Sequence, residues 1–274
     1  MPTLESALPC AELRPYVRAY AQRRIARTDG CSIAAVPAQL EQVLNFELGV
    51  MPGVRHHHMQ VSSPVWIGGA QTSFPGFMEL YPHVESFAIF FYPAGWSQLF
   101  AIPVREITNR LYDAPSIDGP RMRALWNRLG ETPVFRRRVE IVEDFLMPYT
   151  RLVMARDRIA MAATYLFRQH GAVRIPKLAR IDSIGLRQFE RRFQHETGMS
   201  PKTFARVARF QAALDAKLSA PGRSWLDIAH TFGYHDQMHM IHDFERLGQN
   251  TPSHLLATIG DVRPPALTSA SLNR

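Results

Sequence analysis

The rhythm of apolar positions changes near residue 95. Before it, short runs of β-branched and aromatic residues alternate with Gly and Pro stops. Val43-Leu44-Asn45-Phe46-Glu47-Leu48 ends at Gly49, Val65-Trp66-Ile67 at Gly68-Gly69, and the run from Ser86 to Tyr92 at Pro93. Such runs between chain-reversing residues predict strands in a sheet-rich, barrel-like domain. After Gly95 the spacing turns helical through 96–100, 107–112, 121–129 and 134–146. The last stretch is apolar at 135, 139, 142, 145 and 146, one face of a helix.

From Arg156 the chain reads as consecutive short helices with distinct starts and stops. Ile159, Ala162, Ala163, Leu166 and Phe167 share one face, closed by Gly171. Pro176 suits the first turn of the next helix, where its missing N–H costs nothing. Ser200-Pro201 is a capping residue followed by proline at the first helical position, opening a helix through Leu218. Ser224 with Asp227 three residues on resembles a capping box, Asp236 caps a further helix, and Thr251-Pro252 repeats the Ser200-Pro201 device.

Two of these segments repeat. Leu178-Ala179 recurs as Ile228-Ala229 at an offset of 50, and Phe193 recurs as Phe244 and Ser200-Pro201 as Thr251-Pro252 at 51. Each copy is a short helix, a tight turn, a longer helix and a capped restart, the grammar of a helix-turn-helix. Recognition helices are predicted at about 185–197 and 236–247. At 100° per residue, Phe189 and Phe193 point inward in the first, which sends Arg187, Glu190, Arg191 and Gln194 outward. In the second, Met240, Phe244 and Leu247 form the inward stripe. Met238, Ile241, His242 and Glu245 face out, with Gln237 in the exposed first turn. An outward Met and Ile suit thymine methyls better than bare solvent.

Charge strengthens this picture. Residues 154–274 hold 17 Lys+Arg against 10 Asp+Glu, so a net of +7 of the chain's +8 lies there. A basic half beside a nearly neutral one fits a polyanion-binding module joined to another domain. No stretch approaches the ~18 apolar residues of a membrane helix, and the first residues carry no secretory signal. Cys10 and Cys31 are expected to stay reduced as small packing residues in a cytoplasmic, nucleoid-associated protein.

The residues also resemble a known family. Leu178-Ala179, the run from Arg187 to Phe193, Thr197-Gly198-Met199-Ser200-Pro201-Lys202 and Arg209-Phe210-Gln211 are similar to the first half of an AraC/XylS-type DNA-binding domain. Ser224-Trp225, Asp227-Ile228-Ala229, Gly233-Tyr234, Asp236-Gln237, His239, Asp243-Phe244 and Thr251-Pro252 are similar to its second half. The resemblance implies a sequence-specific transcription regulator whose two recognition helices enter successive major grooves. Carried over by position, Arg187, Glu190 and Arg191, with Gln188 nearby, face bases from the first helix. Gln237, Met238, Ile241 and His242 do so from the second, with His239 nearer the backbone. Departures are Ser183 and Gly185 where Gly then Ser is usual, His242 and Glu245 where Arg is frequent, and Gln249 for a usual Gly, with Gly248 expected to take over the turn.

Leu13-Arg14-Pro15-Tyr16-Val17 and Phe91-Tyr92-Pro93-Ala94-Gly95 are similar to the sensor domains of one branch of this family. The first usually precedes a strand, the second a strand-to-helix corner. The resemblance implies a cupin-like barrel that binds a small effector or dimerises. The expected partners are duplex DNA, RNA polymerase, a small-molecule effector and a second copy of the chain, with no cofactor. The expected fold class is α+β: a β-rich effector or dimerisation domain at 1–105, a helical connector at 106–153, an all-α domain of about seven helices with two helix-turn-helix motifs at 154–258, and a disordered tail at 259–274.

Other functions compete with this one. His56-His57-His58, with His83, raises a metal site, but neighbouring strand residues alternate faces, so at most two could share an ion, and an exposed loop run is the simpler reading. A catalytic cupin would need a spaced set of His and carboxylate ligands that this chain does not show. A co-regulator that binds only protein is the third class. A non-enzymatic DNA-binding regulator is the reading adopted; whether it activates or represses stays open.

Overall fold

The structure is a computed structural model and describes residues 3–26, 30–56, 63–153, 158–181, 184–259 and 267. The N-terminal half begins with strands β1 (Thr3–Ala7), β2 (Val17–Arg24), β3 (Ser32–Val36), β4 (Gln42–Glu47), β5 (Gly53–His56), β6 (Val65–Gly68), β7 (Gly76–Leu80) and β8 (Glu85–Phe91). Helices α1 (Gly95–Phe100) and α2 (Val104–Ile107) follow, then strand β9 (Leu111–Asp113) and helices α3 (Pro115–Gly130) and α4 (Phe135–Thr150). Six strands form one antiparallel sheet in the order β1-β2-β8-β4-β6-β9, and three form a second in the order β3-β7-β5. The pair is barrel-like without closing. The α+β reading holds, as do the predicted strands at β4, β6 and β8 and the corner between β8 and α1.

Alternation along the central strands gives the six-stranded sheet two apolar faces. Tyr20, Leu44, Phe46, Phe87, Ile89 and Phe91 point one way and are buried beneath α1, α3 and α4, against Trp96, Leu125, Val142 and Leu146. Ala19, Ala21, Val43, Ala88 and Phe90 point the other way. The Arg23 guanidinium on this inner face reaches the Met78 sulfur of β7, 3.4 Å away, which brings the second sheet over it.

One predicted element is corrected. The stretch 107–112 was expected to be helical. Instead α2 stops at Ile107, Asn109 takes a left-handed φ of 57°, and Leu111–Asp113 pairs with β6 as an edge strand. A single turn of apolar spacing carries little helical stability alone, so pairing with an existing sheet edge prevails.

The C-terminal half contains seven helices among the described residues: α5 (Arg158–Arg168), α6 (Ile175–Ile181), α7 (Leu186–Thr197), α8 (Pro201–Ser219), α9 (Trp225–Thr231), α10 (Gln237–Gly248) and α11 (Pro252–Ile259). Of the stretch expected to be a tail, Ile259 closes α11 and Leu267 is buried; 260–266 and 268–274 lie outside the described residues.

The halves share a core. Ala35, Ala38, Leu40, Ala70 and Phe74 are buried in one cluster with side chains of α5–α11. The backbone joins in as well: Ala38 N–H donates to Leu247 O at 2.9 Å and Phe74 N–H to Arg246 O at 3.4 Å. A β-bulge between Val17 and Ala19 aims Arg18 out of the β2 ladder toward this seam. There its guanidinium donates to Glu41 Oε1, lies 4.0 Å from Asp215 Oδ2 of α8, and stacks 4.9 Å over the Phe167 ring of α5. Gln211 of α8 completes the set, donating from Nε2 to Glu41 Oε2 at 2.7 Å and accepting from Leu40 N–H at 3.1 Å.

Removing one partner of a buried ion pair strands the other charge, at a cost of about 3–5 kcal/mol. Arg18→Met is therefore expected to lower the unfolding free energy by that amount, and the denaturant midpoint with it, because Glu41 stays fully buried. Arg18→Met with Glu41→Leu should recover most of the loss. Equal midpoints for the wild type and Arg18→Met would show that the pair contributes no stability.

Candidate DNA-binding interface

The two repeated units have the same skeleton. In each, the N–H that follows the tight turn donates back to the short helix: Ile184 to Ala179 O at 3.4 Å, and Tyr234 to Ala229 O at 3.0 Å, 50 residues apart on both sides. Gly233 takes a φ of +69° in the second turn, which glycine adopts without steric cost. Ser183, at the matching place in the first, lies outside the described residues.

Each longer helix is seated by aromatic contacts on its inward face. Phe189 and Phe193 of α7 are fully buried, and Phe193 meets Phe204 of α8 edge-on at 5.2 Å. In α10, Phe244 lies between Phe210 of α8 at 4.8 Å and Trp225 of α9 at 5.4 Å. Asp243, also inward, has its Oδ1 3.6 Å from Arg206 Nε of α8. Burial pushes its carboxyl up from the ordinary value, and Arg206 acts against that rise. Thus α8 is the spine of both units.

The starts of these helices follow the predicted capping pattern. Ser200 Oγ accepts from Thr203 N–H at 3.2 Å, Ser224 Oγ from Asp227 N–H at 3.1 Å, and Asp236 Oδ1 from His239 N–H at 2.7 Å. Gly185 caps α7 with extended backbone and no side-chain bond. At the end of α10 the expectation for Gly248 is corrected. Gln249 itself takes the left-handed cap at φ 56°, while Gly248 remains helical and leaves room for Leu255, whose Cδ2 would lie 2.6 Å from any added Cβ.

Arg187, Gln188, Glu190 and Arg191 are exposed on α7, and Gln237, Met238, His239 and His242 are exposed on α10. Ile241 alone among the predicted residues is half-buried. His239 turns its ring edge-on to Tyr234 at 5.4 Å, and His242 Nδ1 lies 3.4 Å from Glu245 Oε2. The Arg187–Arg191 face opens on a hollow of about 1040 Å³ that Gln194, Ser200, Pro201 and Lys202 also line. Lys202 was legible in the sequence only as part of a capped restart. Its place beside the hollow depends on the fold back from α7 into α8.

Residues 178–258 match the sequence family described as a helix-turn-helix domain. This segment is a helix-turn-helix domain, and the chain is a DNA-binding transcription regulator. No curated protein sequence matches the regulator. Among solved structures it is similar to ToxT from Vibrio cholerae O395, at 10% identity and a TM-score of 0.47, over 94% of this chain and 98% of that one. It is similar also to unsaturated fatty acid bound wild-type ToxT from Vibrio cholerae strain SCE256, at 9% identity and a TM-score of 0.49, over 95% of both chains. The AraC-like transcriptional activator CuxR aligns at 11% identity and a TM-score of 0.29, over 76% of this chain and 86% of that one. With every one of these scores below 0.5, the assignment rests on the domain match and on the repeated geometry.

The described residues hold no cluster of three or more metal-ligating side chains. His57 and His58 lie outside them. Both cysteines are free thiols, Cys10 half-buried and Cys31 exposed, so Cys31 is not the packing residue expected. No helix among the described residues is long and apolar enough to cross a membrane.

Two outcomes follow from the ends of these helices. Gly198 closes α7 at φ +77°, and a Cβ there would lie 1.7 Å from Thr108 Oγ1, just beyond α2. Gly198→Ala should lower the unfolding midpoint, and adding Thr108→Ala should restore only part, since the left-handed backbone remains. Full recovery in a thermal melt would assign the whole effect to the clash. The second concerns Asp236. The His239 N–H, then the His235 side chain, hold its carboxyl below the ordinary value. A depressed carboxyl stabilises the fold above its unfolded pKa and loses that contribution as pH falls through the folded one. Against Asp236→Asn, which caps without titrating, the wild type should be more stable at neutral pH, and the two should converge in acid.

Proposed function

We propose that the regulator reads duplex DNA through the outward faces of α7 and α10, each in a major groove, the two grooves being successive on one side of the DNA. One observation carries this reading: two capped helices with exposed polar faces are anchored by their aromatic stripes to the same rigid helix, α8, of 19 residues. At 1.5 Å per residue that spine is about 28 Å long, of the order of the ~34 Å turn that separates successive grooves on one face of B-DNA.

Arg187 and Arg191 supply the fork geometry that pairs with guanine O6 and N7, and Glu190 an acceptor for cytosine N4. Gln237 can pair with adenine, while Met238 and the half-buried Ile241 offer apolar surface to thymine methyls. His242 and His239 add shorter polar contacts on the second unit. Gln188 stands at the edge of the first face. The α7 helix carries Arg187, Arg191 and Arg192 and the α10 helix a single Arg246 beside His242 and Glu245, so the first unit supplies most of the specific affinity. The N-terminal domain, sharing its core with α8, α10 and α11, takes a small effector or a second copy of the chain and changes how the two units sit. RNA polymerase is the partner on the promoter, and the working place is the nucleoid.

The test begins with selection of a binding site from random duplex DNA, followed by affinity measurements over a range of salt. Arg191→Ala should cost about 1–3 kcal/mol at one base pair and relax specificity there. His242→Ala should cost less. A uniform loss over all sequences would make Arg191 a phosphate contact, and an affinity independent of salt would remove the DNA reading altogether.

A further inference from the structure

The inner face of the six-stranded sheet has a dent. Ala21 and Ala88 face each other across β2 and β8, and Ala19 stands opposite Phe90 on the same pair of strands. Three small side chains beside Val43 and Phe90 leave a hollow at the middle of the sheet, where a larger residue would otherwise fill the space. The side chain that fills it comes from the far end of the chain. Leu267, eight residues beyond α11, is 1% exposed and belongs to the same cluster as those five residues. Its carbonyl accepts from Arg18 Nη2.

The neighbouring polar groups show where an occupant can and cannot bind. Glu47, on the same face, already accepts from Asn45 Nδ2 at 2.7 Å, Trp66 Nε1 at 3.1 Å and Ser86 Oγ at 2.7 Å. Burial pushes its carboxyl up while those bonds act against the rise. That cluster is satisfied from within. Arg18 reaches further: Nη1 donates to Glu41, while Nη2 donates to the Leu267 carbonyl and lies 4.0 Å from Asp215 Oδ2. Arg18 is also the group that reaches α8, directly toward Asp215 and through Glu41 to Gln211. Occupancy of the dent is thereby linked to the helix that carries both helix-turn-helix units.

We propose that the dent is a ligand site for a branched aliphatic group next to a carbonyl oxygen, as in a leucyl peptide, and that its resident occupant is the chain's own Leu267. Leu267 is an exchangeable internal ligand rather than a fixed part of the core. Small apolar side chains form its bed, one guanidinium fixes its carbonyl, and the tail is tethered, so its local concentration is high. The proposal rests on the reading that the N-terminal domain takes a ligand, and it names the chemistry of that ligand.

The probe is a fluorescent synthetic peptide with the sequence of residues 262–272, followed by anisotropy against the full chain. Wild type, its site filled by its own tail, should bind it weakly. Leu267→Asp, which vacates the site, should bind it at least ten-fold more tightly, and the same peptide carrying Asp for Leu should not bind. Equal affinity of wild type and Leu267→Asp, or equal affinity of the two peptides, would overturn the proposal. Should Leu267→Asp fail to fold, the full chain with Cys10→Ser and Cys31→Ser carries Ala88→Cys and Leu267→Cys instead. A short bis-maleimide should then join residues 88 and 267, with excess peptide reducing the yield. No joined product, or a yield that the peptide leaves unchanged, would also overturn it. Neither assay contains DNA, so their failure leaves the DNA reading to its own test.

Discussion

The buried contact of Glu41 with Arg18 and Gln211 is the constraint around which the rest of the molecule is arranged. A guanidinium and a carboxylate taken out of water lose hydration that only good geometry returns. Here the geometry needs parts from three places. A bulge in β2 supplies the arginine, the segment before β4 supplies the glutamate, and the middle of α8 supplies the amide. None of these can shift without leaving a polar group unmatched. The position of the N-terminal sheets against α8 is set accordingly, and with it the frame on which α7 and α10 are carried.

The helical half was legible because its signals are local. Caps such as Ser200, Ser224 and Asp236, glycines in turns, and inward aromatics four residues apart fix helix starts and faces within one or two turns of chain. The outward-facing side chains then follow from the helical period. Where a local rule met a tertiary contact, the contact prevailed. Gly248 was the natural candidate to reverse the chain after α10, yet Leu255 needs the space beside it, and the left-handed turn moved to Gln249.

The sheet half was less legible. β2 carries Arg18, Gln22, Arg23 and Arg24 among apolar residues, so its sequence shows little period-two alternation, although all but its last two residues are buried. Its polar side chains are matched by partners on other elements, as Gln22 is by Arg138, 116 positions away, at 2.6 Å. β9 is three residues long and exists because β6 offers it an edge. Leu267 illustrates the same limit. A small-residue and proline-rich stretch reads as disordered, and only the alanines of β2 and β8 reveal that one of its side chains has a place to go.

The core shared by the two halves bears on what can be separated. Ala35, Ala38, Leu40, Ala70 and Phe74 are buried together with the apolar sides of α8, α10 and α11. Domains that merely touch can melt one after the other and be transplanted as modules. Here a cut between the halves would expose alanine, leucine and phenylalanine surface on both pieces. Heat should therefore disrupt the two halves in a single cooperative transition, and the helical half grafted onto an unrelated domain would need the matching segments 35–40 and 70–74 to travel with it.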